Sequence, residues 1–151
     1  MAKRERPDTP SELKVRALRL LARREHSRAE LARKLAPYAD CAESLAAVLE
    51  ELASRKQLSD ERYAEARAHW LSRKYGAAKI RQDLKAHGVA DAIIARVSND
   101  GEAERARTIL ARKYREPATT PQAKARRARF LQGRGFSYDT IRRMLALADD
   151  E

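Results

Sequence analysis

The sequence predicts an all-α protein built of tandem three-helix repeats. Three observations predict it. Arg, Ala, Leu, Lys and Glu dominate a chain of 151 residues that holds only five glycines and five prolines, a balance that favours helix over sheet. A short amphipathic helix recurs, with a small capping residue (Ser27, Gly76, Ser137), an aliphatic four places later (Leu31, Ile80, Ile141) and a leucine four after that (Leu35, Leu84, Leu145). This spacing puts both aliphatics on one helix face. Leu21, Trp70 and Leu131 occupy a matching place upstream, so the repeat extends back through a preceding helix.

In order, residues 1–10 read as a disordered polar tail, and Thr9-Pro10-Ser11-Glu12 opens the first helix with a capping box. Leu13, Ala17, Leu20 and Leu21 form its apolar stripe, which ends near Arg24. Ser27 with Glu30 reads as a second capping box, and Pro37 stops that helix near Ala36. Asp40 with Glu43 is expected to cap a third, lined by Leu45, Val48, Leu49 and Leu52. These make a first repeat over residues 11–57.

A second repeat covers residues 58–100. Ser59-Asp60-Glu61 starts a helix with Tyr63, Ala66 and Trp70 on its buried side and Arg67 towards solvent. Gly76 starts the recurring helix and Gly88 ends it as a left-handed cap. Val89 to Val97 supplies a third helix, with Ile94 and Val97 matching Leu45 and Val48. After Asn99-Asp100-Gly101 comes a charged helix from Glu102 to Arg115, then a loop bounded by Pro117 and Pro121. Thr120-Pro121 restarts a helix to about Gln132, and Gly133 and Gly135 loosen the turn before the last one. Two registers fit this part. Either Ser137 aligns with Ser27 and Gly76, or the charged helix is the first of a third triplet over residues 101–151. The triplet is the simpler description.

The formal net charge of +11 favours acidic partners, either nucleic acid or an acidic protein surface. No apolar run approaches the roughly 20 residues needed to span a bilayer, and Met1-Ala2-Lys3-Arg4-Glu5-Arg6 is charged rather than a hydrophobic leader. The single cysteine permits no internal disulfide and suits a cytoplasmic protein. No membrane partner is expected. His26, His69 and His87 lack metal-ligand spacing, Cys41 lacks a catalytic partner, and no glycine-rich phosphate loop is present. No cofactor, metal or catalytic residue is expected, and the chain reads as a non-enzyme.

With the repeats in view, the chain resembles the RecX family, bacterial regulators of the RecA recombinase. The resemblance covers roughly residues 13–147. It is carried by Ala17–Leu31 around Arg24-Glu25-His26-Ser27, by Leu58-Ser59-Asp60-Glu61-Arg62-Tyr63-Ala64, by Tyr75–Leu84 with Gly88-Val89, and by Arg129–Phe136. It implies tandem three-helix, helix-turn-helix-like repeats in an elongated, curved array. It also implies a monomer docked in the groove of the RecA–DNA filament, restraining recombinase, ATPase and co-protease activity in recombination, repair and the SOS response. One departure is visible: Lys56 stands where the family usually has glycine before Leu58-Ser59-Asp60, so that helix is expected to end without a left-handed glycine cap.

The candidate contact residues flank the recurring helices. They are Arg23, Arg24, Arg28, Arg33 and Lys34; Arg73, Lys74, Lys79, Arg81 and Lys85; and Arg134, Arg142 and Arg143. The dense run Lys124, Arg126, Arg127 and Arg129 joins them. Successive repeats carrying such residues form a stripe suited to a phosphate backbone or a filament groove. Similar basic faces on several units favour backbone or protein contact over base readout by Ala78 to Leu84, so DNA binding is expected to be weak and salt-dependent. The rival reading is a DNA-binding module independent of RecA. Trp70, Tyr63, Tyr75, Phe130, Phe136 and Tyr138 read as architecture rather than as base-stacking platforms.

Overall fold

Local capping chemistry sets where the helices begin. The structure is a computed structural model describing residues 6–147; the first five residues and the acidic end Asp149-Asp150-Glu151 lie outside the described residues. The described end of the expected disordered tail is tied down. Asp8 donates its N–H to the Tyr38 carbonyl at 2.8 Å and pairs with Arg16 at 2.8 Å. Thr9 and Glu12 then form the expected reciprocal box at the start of α1 (Pro10–Arg23).

Ser27 caps α2 (Arg28–Leu35), accepting the Glu30 N–H at 3.1 Å. The return half of that box is absent, because the Glu30 carboxylate is taken by the Arg24 guanidinium at 2.8 and 2.9 Å. Pro37 sits in a 3-10 turn over Ala36–Tyr38. The cap of α3 (Ala42–Ser54) differs from expectation. Cys41, not Asp40, is the N-cap, exchanging bonds with Ser44, whose side chain can return the interaction as Glu43 cannot from N2.

At the end of α3, Lys56 is left-handed with φ 61°, so the helix does end in this geometry without glycine. Gln57 donates to the Leu52 carbonyl at 2.9 Å and Lys56 to the Ala53 carbonyl at 3.0 Å, the paired bonds of a Schellman cap. These bonds hold a side chain where only glycine is free of steric cost.

In α4 (Asp60–Leu71) the buried face differs from the expected one. Tyr63, Ala64 and Leu71 are buried and Arg67 is half-buried, whereas Ala66 and Trp70 are exposed. At 100° per residue the stripe centres on Arg67, which leaves Trp70 at its margin and Ala66 beyond it. α5 (Ala77–Ala86) buries Ile80 and Leu84 as expected, together with Ala77, and Gly88 caps it with φ 80°. The helix expected over Val89–Val97 shrinks to α6 (Asp91–Ile94), and beyond it the Val97 carbonyl accepts from Arg81. Then come α7 (Glu102–Lys113), α8 (Pro121–Gly133, capped by Thr120) and α9 (Tyr138–Leu147). The described residues form no strand.

Among the described residues two compact units result, one holding residues up to Ala66 with Ala86–Ile93, the other Arg67–Lys85 with the residues from Ile94 on. In the first, α1, α2 and α3 enclose Leu13, Ala17, Leu31, Leu35, Val48, Leu49 and Leu52, with Leu58 closing the core. In the second, α7, α8 and α9 enclose Ala106, Ile109, Leu131, Phe136, Ile141 and Met144.

Candidate filament and nucleic-acid interface

The starts of α2 and α5 fix the site, since the basic residues flank these helices. A helix start exposes N–H groups and a positive dipole end. At α2 the first N–H, from Arg28, goes to the Asp60 carboxylate at 2.7 Å, and the Ser27 hydroxyl donates to the His87 carbonyl at 2.8 Å. Next to it, Gly88 packs so tightly on Ala29 that a Cβ there would lie 2.4 Å from the Ala29 Cβ. At α5 the first N–H, from Ala77, goes to the Glu102 carboxylate at 3.1 Å. Gly76 and Ala78 donate to the Arg134 and Gly135 carbonyls at 2.8 and 3.2 Å. The two arrangements correspond: each helix start is covered by the first residue of a later helix and by a glycine-bearing turn in left-handed conformation.

Glu102 goes further. Only 1% exposed, it also accepts the Thr140 hydroxyl at 2.7 Å and the Ser137 hydroxyl at 2.9 Å, so it serves the start of α9 as well. Burial pushes its pKa up, but these hydroxyls and the Ala77 and Ser137 N–H groups outweigh that and hold it below the ordinary carboxylate value. Glu102 sits in a run of charges in the sequence, and nothing local marks it as buried. In the sequence Asp60 reads only as a helix-start acid.

A DNA recognition helix presents its N-terminal residues to base edges. The first turns of α2 and α5 are instead occupied by protein groups, which argues against base readout through either start.

The predicted contact residues separate into two groups. Several are anchors. Arg24 binds Glu30, and Arg28 reaches Glu50 at 3.0 Å. Arg81 holds the Val97 carbonyl at 2.7 Å, and Arg127 bonds the Glu116 carbonyl and lies over the Tyr114 ring. Arg134 stacks over Phe130 and Tyr75, 5.1 and 5.4 Å from their centroids, and Arg142 pairs with Asp139 at 3.3 Å. Lys34 donates to Nε2 of buried His26 at 2.9 Å, while His26 Nδ1–H donates to the Arg24 carbonyl at 3.0 Å. Burial holds this imidazole neutral, its pKa lowered, with Arg24 and Lys34 adding to the effect.

Others project into solvent. Arg23 and Arg33 lie on the first unit, and Arg73, Lys74, Lys79, Lys85, Arg126, Arg129 and Arg143 on the second, all exposed; Lys124 is half-buried. In the second unit two segments converge. Arg134 donates to the Lys74 carbonyl at 3.4 Å, and Lys79 packs so close to Gly135 that a Cβ there would lie 2.6 Å from its Cγ. This gathers Lys74, Lys79 and Arg134. The aromatic expectation fails at two places: Trp70 is 58% exposed and Tyr138 73%, while Tyr63 and Phe136 are buried as expected. Among the described residues no acid, His and Cys cluster is fit for a metal, and no helix is long and apolar enough to cross a membrane.

Comparison with known proteins settles the family. Three domain models match in order: the first RecX three-helix domain at residues 14–38, the second at 59–97 and the third at 100–145. The chain belongs to the RecX family of regulatory proteins. The regulatory protein RecX of Herbaspirillum seropedicae is 45% identical over 139 residues, covering 90% of each chain. That of Leptothrix cholodnii is 45% identical over 144 residues, 92% of this chain and 90% of its own. That of Neisseria gonorrhoeae is 40% identical over 141 residues, 92% of each. The fold agrees with the crystal structure of RecX from Lactobacillus salivarius at a TM-score of 0.80, with 20% identity, over 94% of this chain and 97% of that one. In RecX terms α4, α5 and α6 lie in the second domain and α7, α8 and α9 in the third. The likeness of α9 to α2 and α5 is thus one of cap and apolar face. The match to the first domain ends before α3 begins.

Proposed function

We propose that this protein regulates RecA by docking on the RecA–DNA filament and restraining strand exchange, ATP hydrolysis and co-protease activity. The observation that carries this reading is the match of all three RecX three-helix domains in order along the chain. The physical means is multivalent. Exposed cations on each compact unit, Arg23 and Arg33 on one and Lys79, Lys85, Arg126, Arg129 and Arg143 on the other, each add a modest contact. Linked contacts gain avidity without one deep pocket. The repeats run over residues 11–57, 58–100 and 101–151, and the protein acts as a cytoplasmic monomer in recombination, repair and the SOS response. Its own hold on DNA is weak and steeply salt-dependent.

The test is RecA-driven strand exchange and DNA-dependent ATP hydrolysis, measured at low salt with and without the protein. Both rates fall at stoichiometric amounts on this reading; unchanged rates contradict it. Tight, sequence-selective binding to bare DNA would instead favour the independent DNA-binding module.

A further inference from the structure

The sole tryptophan of the chain stands where a core residue was expected. Trp70 lies in the last turn of α4 and is 58% exposed, while its neighbour Leu71 takes the buried place. A ring of this size left in water forgoes a large hydrophobic gain. The Arg67 guanidinium lies 5.1 Å from its ring centroid and is held by the Asp83 carboxylate at 2.9 and 3.0 Å, which steadies one side of the indole. The turn that follows α4 exposes Arg73 and Lys74, neither in an ion pair among the described residues. Arg134 and Lys79 extend this positive ground through their contacts with Lys74 and Gly135. Glu65, the nearest acid along α4, lies on the far side of the helix, about 140° from Trp70.

A protein-binding hot spot sits among other apolar side chains, with charge depleted at its centre. α4 exposes no second large hydrophobic; among the described residues the others exposed are Val15 on α1 and Tyr138 on α9. An isolated aromatic with one guanidinium against its ring and exposed cations on the turn that follows instead combines the two elements used on single-stranded nucleic acid, a π-face for a base and positive charge for the adjoining phosphates.

We propose that Trp70 is a base-stacking residue for single-stranded nucleic acid, with Arg73, Lys74 and Lys79 holding the flanking phosphates. This deepens the filament reading, in which a nucleic-acid strand lies at hand, but its test needs no RecA. The full-length protein is titrated with a thymidine oligonucleotide at low salt, following both its single-tryptophan fluorescence and the anisotropy of a labelled oligonucleotide. Binding quenches the fluorescence, and added salt reverses the quenching. Trp70→Ala weakens binding roughly 5- to 100-fold, Trp70→Phe recovers most of it, and the Arg73→Glu, Lys74→Glu pair weakens binding and flattens its salt dependence. Circular dichroism of each variant matches the parent, since these side chains lie outside the core.

Oligonucleotide binding without quenching, or equal binding by Trp70→Ala, overturns the proposal, as does an absence of binding at low salt. Loss of RecA inhibition in Trp70→Ala with unchanged oligonucleotide binding also overturns it, placing Trp70 against protein. The wild-type effect on strand exchange is read separately, so the filament reading stands or falls on its own.

Discussion

The starts of α2 and α5 are the same arrangement made at two strengths. At α2 a half-buried Asp60 accepts one backbone N–H at 2.7 Å, while neighbouring Ser27 bonds to a backbone carbonyl. At α5 a fully buried Glu102 gathers the start of its helix together with Ser137 and Thr140 at the start of α9. Both acids are the first residue of the first helix of the next domain. Each domain thus reaches back to close the helix start before it, and the longer side chain reaches two helix starts where the shorter reaches one. Burial makes the second version stronger and less forgiving, because a buried donor stripped of its acceptor has no water to turn to.

The largest expected effect comes from Glu102→Ala. It leaves the Ala77 N–H and two hydroxyls without their acceptor and lowers stability by about 3 kcal/mol, read as a shift in the urea midpoint at pH 7. Its unfolded counterpart takes up a proton near the ordinary value of 4.5 while the folded carboxylate resists. The wild-type advantage over the variant is therefore full above that pH and lost as pH falls through the lower folded value. Asp60→Ala, by the same measurement, costs about 1 kcal/mol, since water reaches the Arg28 N–H once the carboxylate is gone. Equal losses for the two variants would break the comparison.

Smaller still is a gain. Lys56→Gly removes a side chain from a left-handed position while loosening the unfolded chain, for a net stabilisation of about 0.5 kcal/mol; a lower midpoint would show that the Lys56 side chain contributes more than its conformation costs. A shallower, pH-dependent difference separates the two units. Burial holds His26 in the first unit below its ordinary pKa of 6.5, so the unfolded imidazole protonates first and stability declines as pH falls below that value. Hydrogen exchange, corrected for intrinsic rates, then shows α1 and α2 losing protection between neutral pH and pH 5.5 before α7 and α9 do. Uniform loss contradicts the assignment.

Helix starts governed by neighbours in sequence were legible: Thr9 with Glu12, Ser27, Thr120 before Pro121, and the left-handed Gly88 are all settled within a few residues. What depended on distant partners was not. Trp70 sits at the margin of an apolar stripe, where a shift of one residue decides burial. Glu102 resembles its charged neighbours until α9 folds over it. The candidate site suffered in the same way. Arg81, Arg127 and Arg134 look like Arg126 and Arg129 in sequence, and only the fold reveals that a carbonyl or an aromatic ring engages the first three.

The central claim is that successive basic units act together on a RecA filament. A density map of the protein bound to RecA filaments on single-stranded DNA tests it most directly. The account predicts density for all three domains in the filament groove, with Arg33, Lys79, Lys85, Arg126 and Arg129 turned towards RecA or the DNA backbone. A map with the protein absent from the groove, or with these side chains turned to solvent, would contradict it.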